Sequence, residues 1–163
     1  RWNCSSRGLG DVYKRQALAY RIADAYLGGE PGNWIEEGIE RDRARREAFD
    51  QRIAAAIAPR AEDTKPSHPL KAYAGTYTSP LYGDALVQVK DGHLTLRLEP
   101  ARELVADLTH LHFDTFVIRW RKEFAWFREG TAQFLPNANG DVVQLKLNVP
   151  NDDLWFDELD LQR

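Results

Sequence analysis

The side chains best suited to chemistry stand in "THLHFDT", Thr109 to Thr115. In an extended strand His110, His112 and Asp114 alternate onto one face, and two imidazoles beside a carboxylate are a metal-binding set. A tight zinc site needs three or four ligands at about 2 Å. The other histidines, His68 and His93, have no spacing that delivers them there. The expectation is therefore no stoichiometric metal and no cofactor. The three side chains are expected to act as polar contacts, to a neighbouring strand or to another domain. Asp152, Asp153, Asp157, Glu158 and Asp160 lack the glycine turn and spacing of a calcium loop and read as solvated charge. Trp120, Phe124, Trp126 and Phe127 could line a ligand pocket, although aromatic residues in strands more often fill a core.

Such residues need a scaffold, and from Leu70 onward the hydrophobic period is two. "HLTLRL" sets Leu94, Leu96 and Leu98 against His93, Thr95 and Arg97. "VVQLKLNV" aligns Val143, Leu145, Leu147 and Val149, and "TFVIRW" aligns Phe116, Ile118 and Trp120. Turn signals separate the runs, the clearest being Asp91-Gly92 and Asn139-Gly140. Strands at this spacing predict an antiparallel meander, and closure would remove its exposed edges. The expected class is mainly β with N-terminal helices: a lipocalin-like antiparallel β-barrel of about eight strands preceded by two α-helices.

The first helix is predicted over "ALAYRIADAYL", with Leu18, Ile22 and Tyr26 at helical spacing, Gly28-Gly29 as its stop and Pro31 beyond. The second opens at Asn33 as cap, with Glu36 completing a capping box, and halts at Pro59. Its charge run "ERDRARRE" is self-neutralising, because Glu37–Arg41 and Asp42–Arg46 stand at i,i+4. "PRAEDTKPSHP" reads as a linker.

Ser6 to Gln16, "SRGLGDVYKRQ", fits neither helix nor strand patterning. It resembles a translated sequencing adapter: the transposon-end bases GAT GTG TAT AAG AGA CAG encode Asp11 to Gln16. Residues 1–16 are accordingly expected to be a non-native, adapter-like scar on a reading frame of environmental origin whose true N-terminus is missing. They carry four basic residues and one acid, so the remainder holds a net charge of −6 against −3 for the whole chain. An acidic remainder argues against nucleic acid as a partner. Cys4 is the only cysteine and lies in this stretch, which leaves the rest without thiols for disulfides or zinc. No apolar run reaches the roughly 20 residues of a membrane span.

Three groups of residues carry a family resemblance: Tyr73-Ala74-Gly75-Thr76-Tyr77, Asp91-Gly92 and Phe113-Asp114-Thr115-Phe116. In that order and spacing, Pro69 to Arg163 resembles the C-terminal, lipocalin-like accessory domain of unknown function found in beta-lactamase-related, penicillin-binding-protein-like serine hydrolases. The segment "KEFAWFREG", Lys122 to Gly130, departs from that pattern. "ALAYRIADAYLG" resembles the closing helix of the hydrolase domain in such bacterial proteins. The resemblance implies residues 17–29 as that helix, 30–68 as connecting helix and linker, and 69–163 as the barrel. It also implies a missing hydrolase domain as partner, oligomerisation as one role of the barrel, and a periplasmic or secreted parent.

The parent's chemistry would be hydrolysis through an acyl-serine, of peptidase, esterase or beta-lactamase-like type. That requires Ser-x-x-Lys and Tyr-x-Asn-type motifs, because a serine is a weak nucleophile until a neighbouring base takes its proton. Ser67 precedes Lys71 by one residue too many, and no tyrosine is followed at +2 by asparagine. No catalytic residue is therefore assigned to this chain. The rival expectation is a free-standing carrier with a ligand inside the barrel. Bulky inward side chains such as Leu96, Phe116, Ile118 and Leu145 weigh against it.

Overall fold

The computed structural model describes residues 8–28, 32–58, 61–124, 127–151 and 154–163. The chain divides into two compact units, Arg1–Gln51 and Arg52–Arg163. In the first, α1 spans Gly8–Leu27 and α2 spans Trp34–Ile57, its last turns belonging to the second unit. α1 starts ahead of the Ala17 expected as its opening, since the preceding residues hold no proline and several good helix formers. It ends as expected at Gly28, whose φ of 66° suits glycine. Asp24 links the helices, accepting hydrogen bonds from Trp34 Nε1 at 2.6 Å and Gly32 N–H at 3.0 Å. Asp42 and Arg46 form the expected ion pair at 2.7 Å, whereas Arg41 donates to the main-chain carbonyl of Glu37.

The second unit is an eight-stranded antiparallel barrel. A single helical turn, α3 (Leu70–Tyr73), precedes β1 (Gly75–Ser79), β2 (Gly83–Lys90), β3 (His93–Leu98) and β4 (Val105–His112). Then follow β5 (Thr115–Trp120), β6 (Gly130–Pro136), β7 (Val142–Asn148) and β8 (Leu161–Gln162). Each strand pairs with its successor and β8 returns to β1, so the expected meander closes. Asp91 (φ 51°) and Gly92 (φ 82°) make the β2–β3 turn, both in the left-handed region that the tightest hairpin turns require. Gly130 answers a different constraint: a Cβ there would lie 2.4 Å from the carbonyl oxygen of Asn148 on β7.

Alternation places Ala85, Val87, Leu94, Leu96, Ala106 and Leu108 in one buried cluster with Phe116, Ile118, Phe134, Leu145 and Leu147. Three expected inward residues differ, and Leu98, at the end of β3, is only half-buried. Val143 is only half-buried, because a register shift between Leu135 and Pro136 pairs Pro136 with Val142 and turns Val142 inward. Trp120 is half-buried at the strand end, its Nε1 donating to the Arg128 carbonyl at 3.0 Å.

The seam of the barrel is short. β8 pairs with β1 through Thr78 and Gln162 and with β7 through Gln144–Gln162 and Leu145–Leu161. Arg163 extends it, its N–H donating to Val143 O and its guanidinium to Ala72 O, both at 2.8 Å. Leu161 is the buried side chain of this strand. Leu161→Ala is expected to lower stability by about 2–4 kcal/mol in urea melts. A loss below about 1 kcal/mol, within the range of surface substitutions, would show that closure does not depend on this side chain.

Candidate functional site

His110, His112 and Asp114 do not share a face. β4 ends at His112, a register shift falls between His110 and His112, and Phe113 takes a φ of 47° in the turn. The extra residue sends the three side chains apart. His110 packs its ring on Phe116, centroids 5.7 Å apart, and its Nε2–H donates to Phe113 O at 2.9 Å. The carbonyl can only accept, which assigns the proton to Nε2. His112 stacks edge-on to Phe113 and lines a groove outside the barrel. Asp114 turns to the barrel mouth. Among the described residues no three His, Cys, Asp or Glu side chains come together as a metal site.

Asp114 meets a residue the sequence analysis assigned no role, Tyr73. α3 carries this ring into the open end of the barrel, where it is fully buried against Phe116 (5.4 Å) and Phe134 (4.9 Å). Burying a phenol requires a partner for its hydroxyl. The Tyr73 hydroxyl donates to Asp114 Oδ1 at 2.5 Å and accepts from His68 N–H at 3.1 Å. Asp114 Oδ1 also accepts from Ser67 N–H at 2.8 Å, and Thr64 Oγ1 accepts from Phe113 N–H at 3.0 Å. Tyr77, inside the barrel, donates its hydroxyl to Tyr73 O at 2.8 Å. Segment 64–68 is thus stitched to the β4–β5 turn around one phenol. The only sequence signal was the Tyr-x-x-x-Tyr spacing of 73 and 77, which by itself does not name Asp114 as partner.

Burial pushes both phenols up to about 12, aided at Tyr73 by the Asp114 hydrogen bond and opposed at Tyr77 by Arg163. At Asp114 burial acts to raise the pKa, but the bonds from Tyr73 and Ser67 outweigh it and hold the carboxyl below its ordinary value. A phenol that resists ionisation and a carboxylate that resists protonation are poorly matched to proton transfer near neutrality. The arrangement is a structural latch.

At the opposite end Trp120, Phe124, Phe127 and Phe156 close the barrel, with ring centroids at 5.0 Å for Phe124–Phe127 and 5.3 Å for Phe127–Phe156. They fill core, as expected; Trp126 lies outside the described residues. Of the acidic tail, Asp152 and Asp153 also lie outside them, while Asp160 accepts from the Gln144 and Gln162 side-chain amides.

The architecture defines a closed eight-stranded up-and-down barrel whose lumen is sealed by aromatic side chains at both ends. Residues 59–163 match the family described as a domain of unknown function (DUF3471), and the chain belongs to that family. A solved structure, the C-terminal domain of penicillin binding protein Rv0907, is similar at 30% identity, covering 64% of this chain and 91% of that one with a TM-score of 0.48. No curated protein matches the sequence.

Tyr73→Phe removes the hydroxyl that joins Asp114 to His68 N–H and is expected to cost about 1–3 kcal/mol. The Asp114 carboxyl has a folded pKa below its unfolded value of about 3.9. Its ionised form therefore contributes stability above that pH, lost as the pH falls through the folded value. Denaturant melts should show this loss setting in below about pH 4, with Asp114→Asn flattening it. An unchanged acid profile in that variant would remove the latch from the account.

Proposed function

We propose that this chain is the C-terminal part of a penicillin-binding-protein-like serine hydrolase, its barrel a non-catalytic accessory domain that packs on the hydrolase domain, shapes its cleft or mediates oligomerisation. Family membership supports the reading, as does the resemblance of Tyr73–Tyr77, Asp91-Gly92 and Phe113–Phe116 to the C-terminal domain of such hydrolases. The observation that carries the non-carrier part of it is the filled lumen. A ligand chamber would leave its lining accessible to water-sized space, yet Ala85, Leu96, Ala106, Ile118 and Ala132 are all 0% exposed. The carrier reading loses its cavity.

On this reading residues 17–29 are the closing helix of the hydrolase domain and 30–68 the connection. Leu18, Ile22 and Tyr26, one helical stripe of α1, are exposed, as a surface that packs on a further domain would be. His110, His112 and Asp114 would then contribute polar contacts around the β4–β5 turn, with Asp114 acting through the latch. The parent would act on an amide or ester.

Two measurements test this. The coding sequence upstream of Ala17 should carry an in-frame Ser-x-x-Lys motif, and a start codon directly before Ala17 would overturn the proposal. The purified chain should not be labelled by a serine-reactive phosphonate; specific labelling of any serine would contradict a non-catalytic role.

A further inference from the structure

The sealed lumen leaves the barrel's exterior as the place for recognition, and one groove of about 640 Å³ lies there, within the size range of small-molecule sites. Its floor is the outer face of β5–β7, where two cross-strand rows carry polar side chains: Thr115–Gln133–Lys146 and Thr131–Asn148. The end of α2, at Ala55 and Ala56, and the segment after β7 form its walls. Trp155 stands in that segment with 62% of its surface exposed.

The indole is firmly mounted. Its neighbour Phe156 is buried in the aromatic plug. Asn151 holds the neighbouring Leu154, its Nδ2 donating to Val149 O and Leu154 O and its Oδ1 accepting from Leu154 N–H at 2.5 Å. The fold makes little use of the ring itself, since most of its area remains in water. A preorganised aromatic face beside amides and hydroxyls is an arrangement that trades in geometry as well as area.

We infer that this groove binds a short oligosaccharide, stacked on Trp155 and preferring an acidic sugar at the Lys146 end. The exposed Gln133 and Asn148 amides donate and accept together, which matches vicinal sugar hydroxyls, while Thr115 and Thr131 lie buried beneath them. The ring offers a flat apolar surface to the C–H face of a pyranose. Lys146 makes no ion pair among the described residues, so a carboxylate would be its counter-charge. Asp157 also lines the groove and confines that preference to one end. Other ligand classes fit less well. The main chain of β6 is paired on both sides, which rules out strand addition to the groove floor by a peptide. A single lysine is too little charge for nucleic acid, and the polar floor does not suit an apolar ligand.

The test is an NMR titration of the full chain with trigalacturonate, with maltotriose as the neutral arm and triglutamate as the peptide arm. Saturable shifts are expected at the Trp155 indole and at Gln133 and Asn148. Trp155→Ala should weaken trigalacturonate about tenfold, and Trp155→Phe should retain part of the affinity. Lys146→Gln should weaken trigalacturonate and leave maltotriose unchanged. The spectra of these exposed variants report directly whether the barrel is intact. No saturable shift with either sugar, shifts indifferent to Trp155→Ala, or binding of triglutamate alone would overturn the inference.

Discussion

A buried phenol cannot be left without a hydrogen-bond partner, and from the Tyr73 hydroxyl that constraint spreads through the barrel. Eight short strands enclose an interior just wide enough for side chains, so each open end needs a large ring. At one end that ring is Tyr73, and a tyrosine brings a polar atom into an apolar place. Asp114 supplies the acceptor, which the chain can present there only by ending β4 early and taking Phe113 through a positive φ. The same carboxylate then has capacity for Ser67 N–H, so the segment before α3 is drawn onto the turn. Phe at position 73 would satisfy the packing and none of the rest.

The far end is closed chiefly by aromatic rings, with the buried Ser79 hydroxyl taken by Tyr82 N–H. Phe127 and Phe156 pack edge to face, while Trp120 keeps its indole N–H at the strand end, where the Arg128 carbonyl takes it. This asymmetry separates the two ends in chemistry as well as in sequence. The Tyr73 end responds to acid through Asp114, and the Trp120 end has no titratable group within its ring cluster. A filled interior between them leaves the outer sheet face, the turns and the N-terminal helices as the surfaces on which an accessory domain can act.

Local patterning made the barrel legible. Period-two runs such as "HLTLRL" state which side chains face inward, and Asp91-Gly92 states where a hairpin turns, because both rules act over a few residues. The reading failed where a residue was inserted. The shift at Leu135/Pro136 exchanged Val142 for Val143, and the one between His110 and His112 dispersed a set that strict alternation had aligned. Nothing in "THLHFDT" signals the shift or the partner of Asp114, which is Tyr73, 41 positions away in sequence and adjacent in space. The groove was hidden for a related reason: its floor comes from three strands and its tryptophan from a fourth segment.

The last residues of the chain bind closure and surface together. Phe156 and Leu161 are both buried in the core cluster, one as part of the plug and one as the inward side of the seam strand. Leu154 is tied to Asn151 and Phe156 is buried in the plug, so Trp155 is displayed by contacts that belong to the barrel rather than to any ligand. The consequence is a division of labour among neighbours. Replacing Phe156 would disturb the plug and therefore the mount of the indole. Replacing Trp155 removes a ring that lies mostly in water. A surface side chain that can be altered without altering the fold, set on a mount that cannot, is free to be specified by recognition alone.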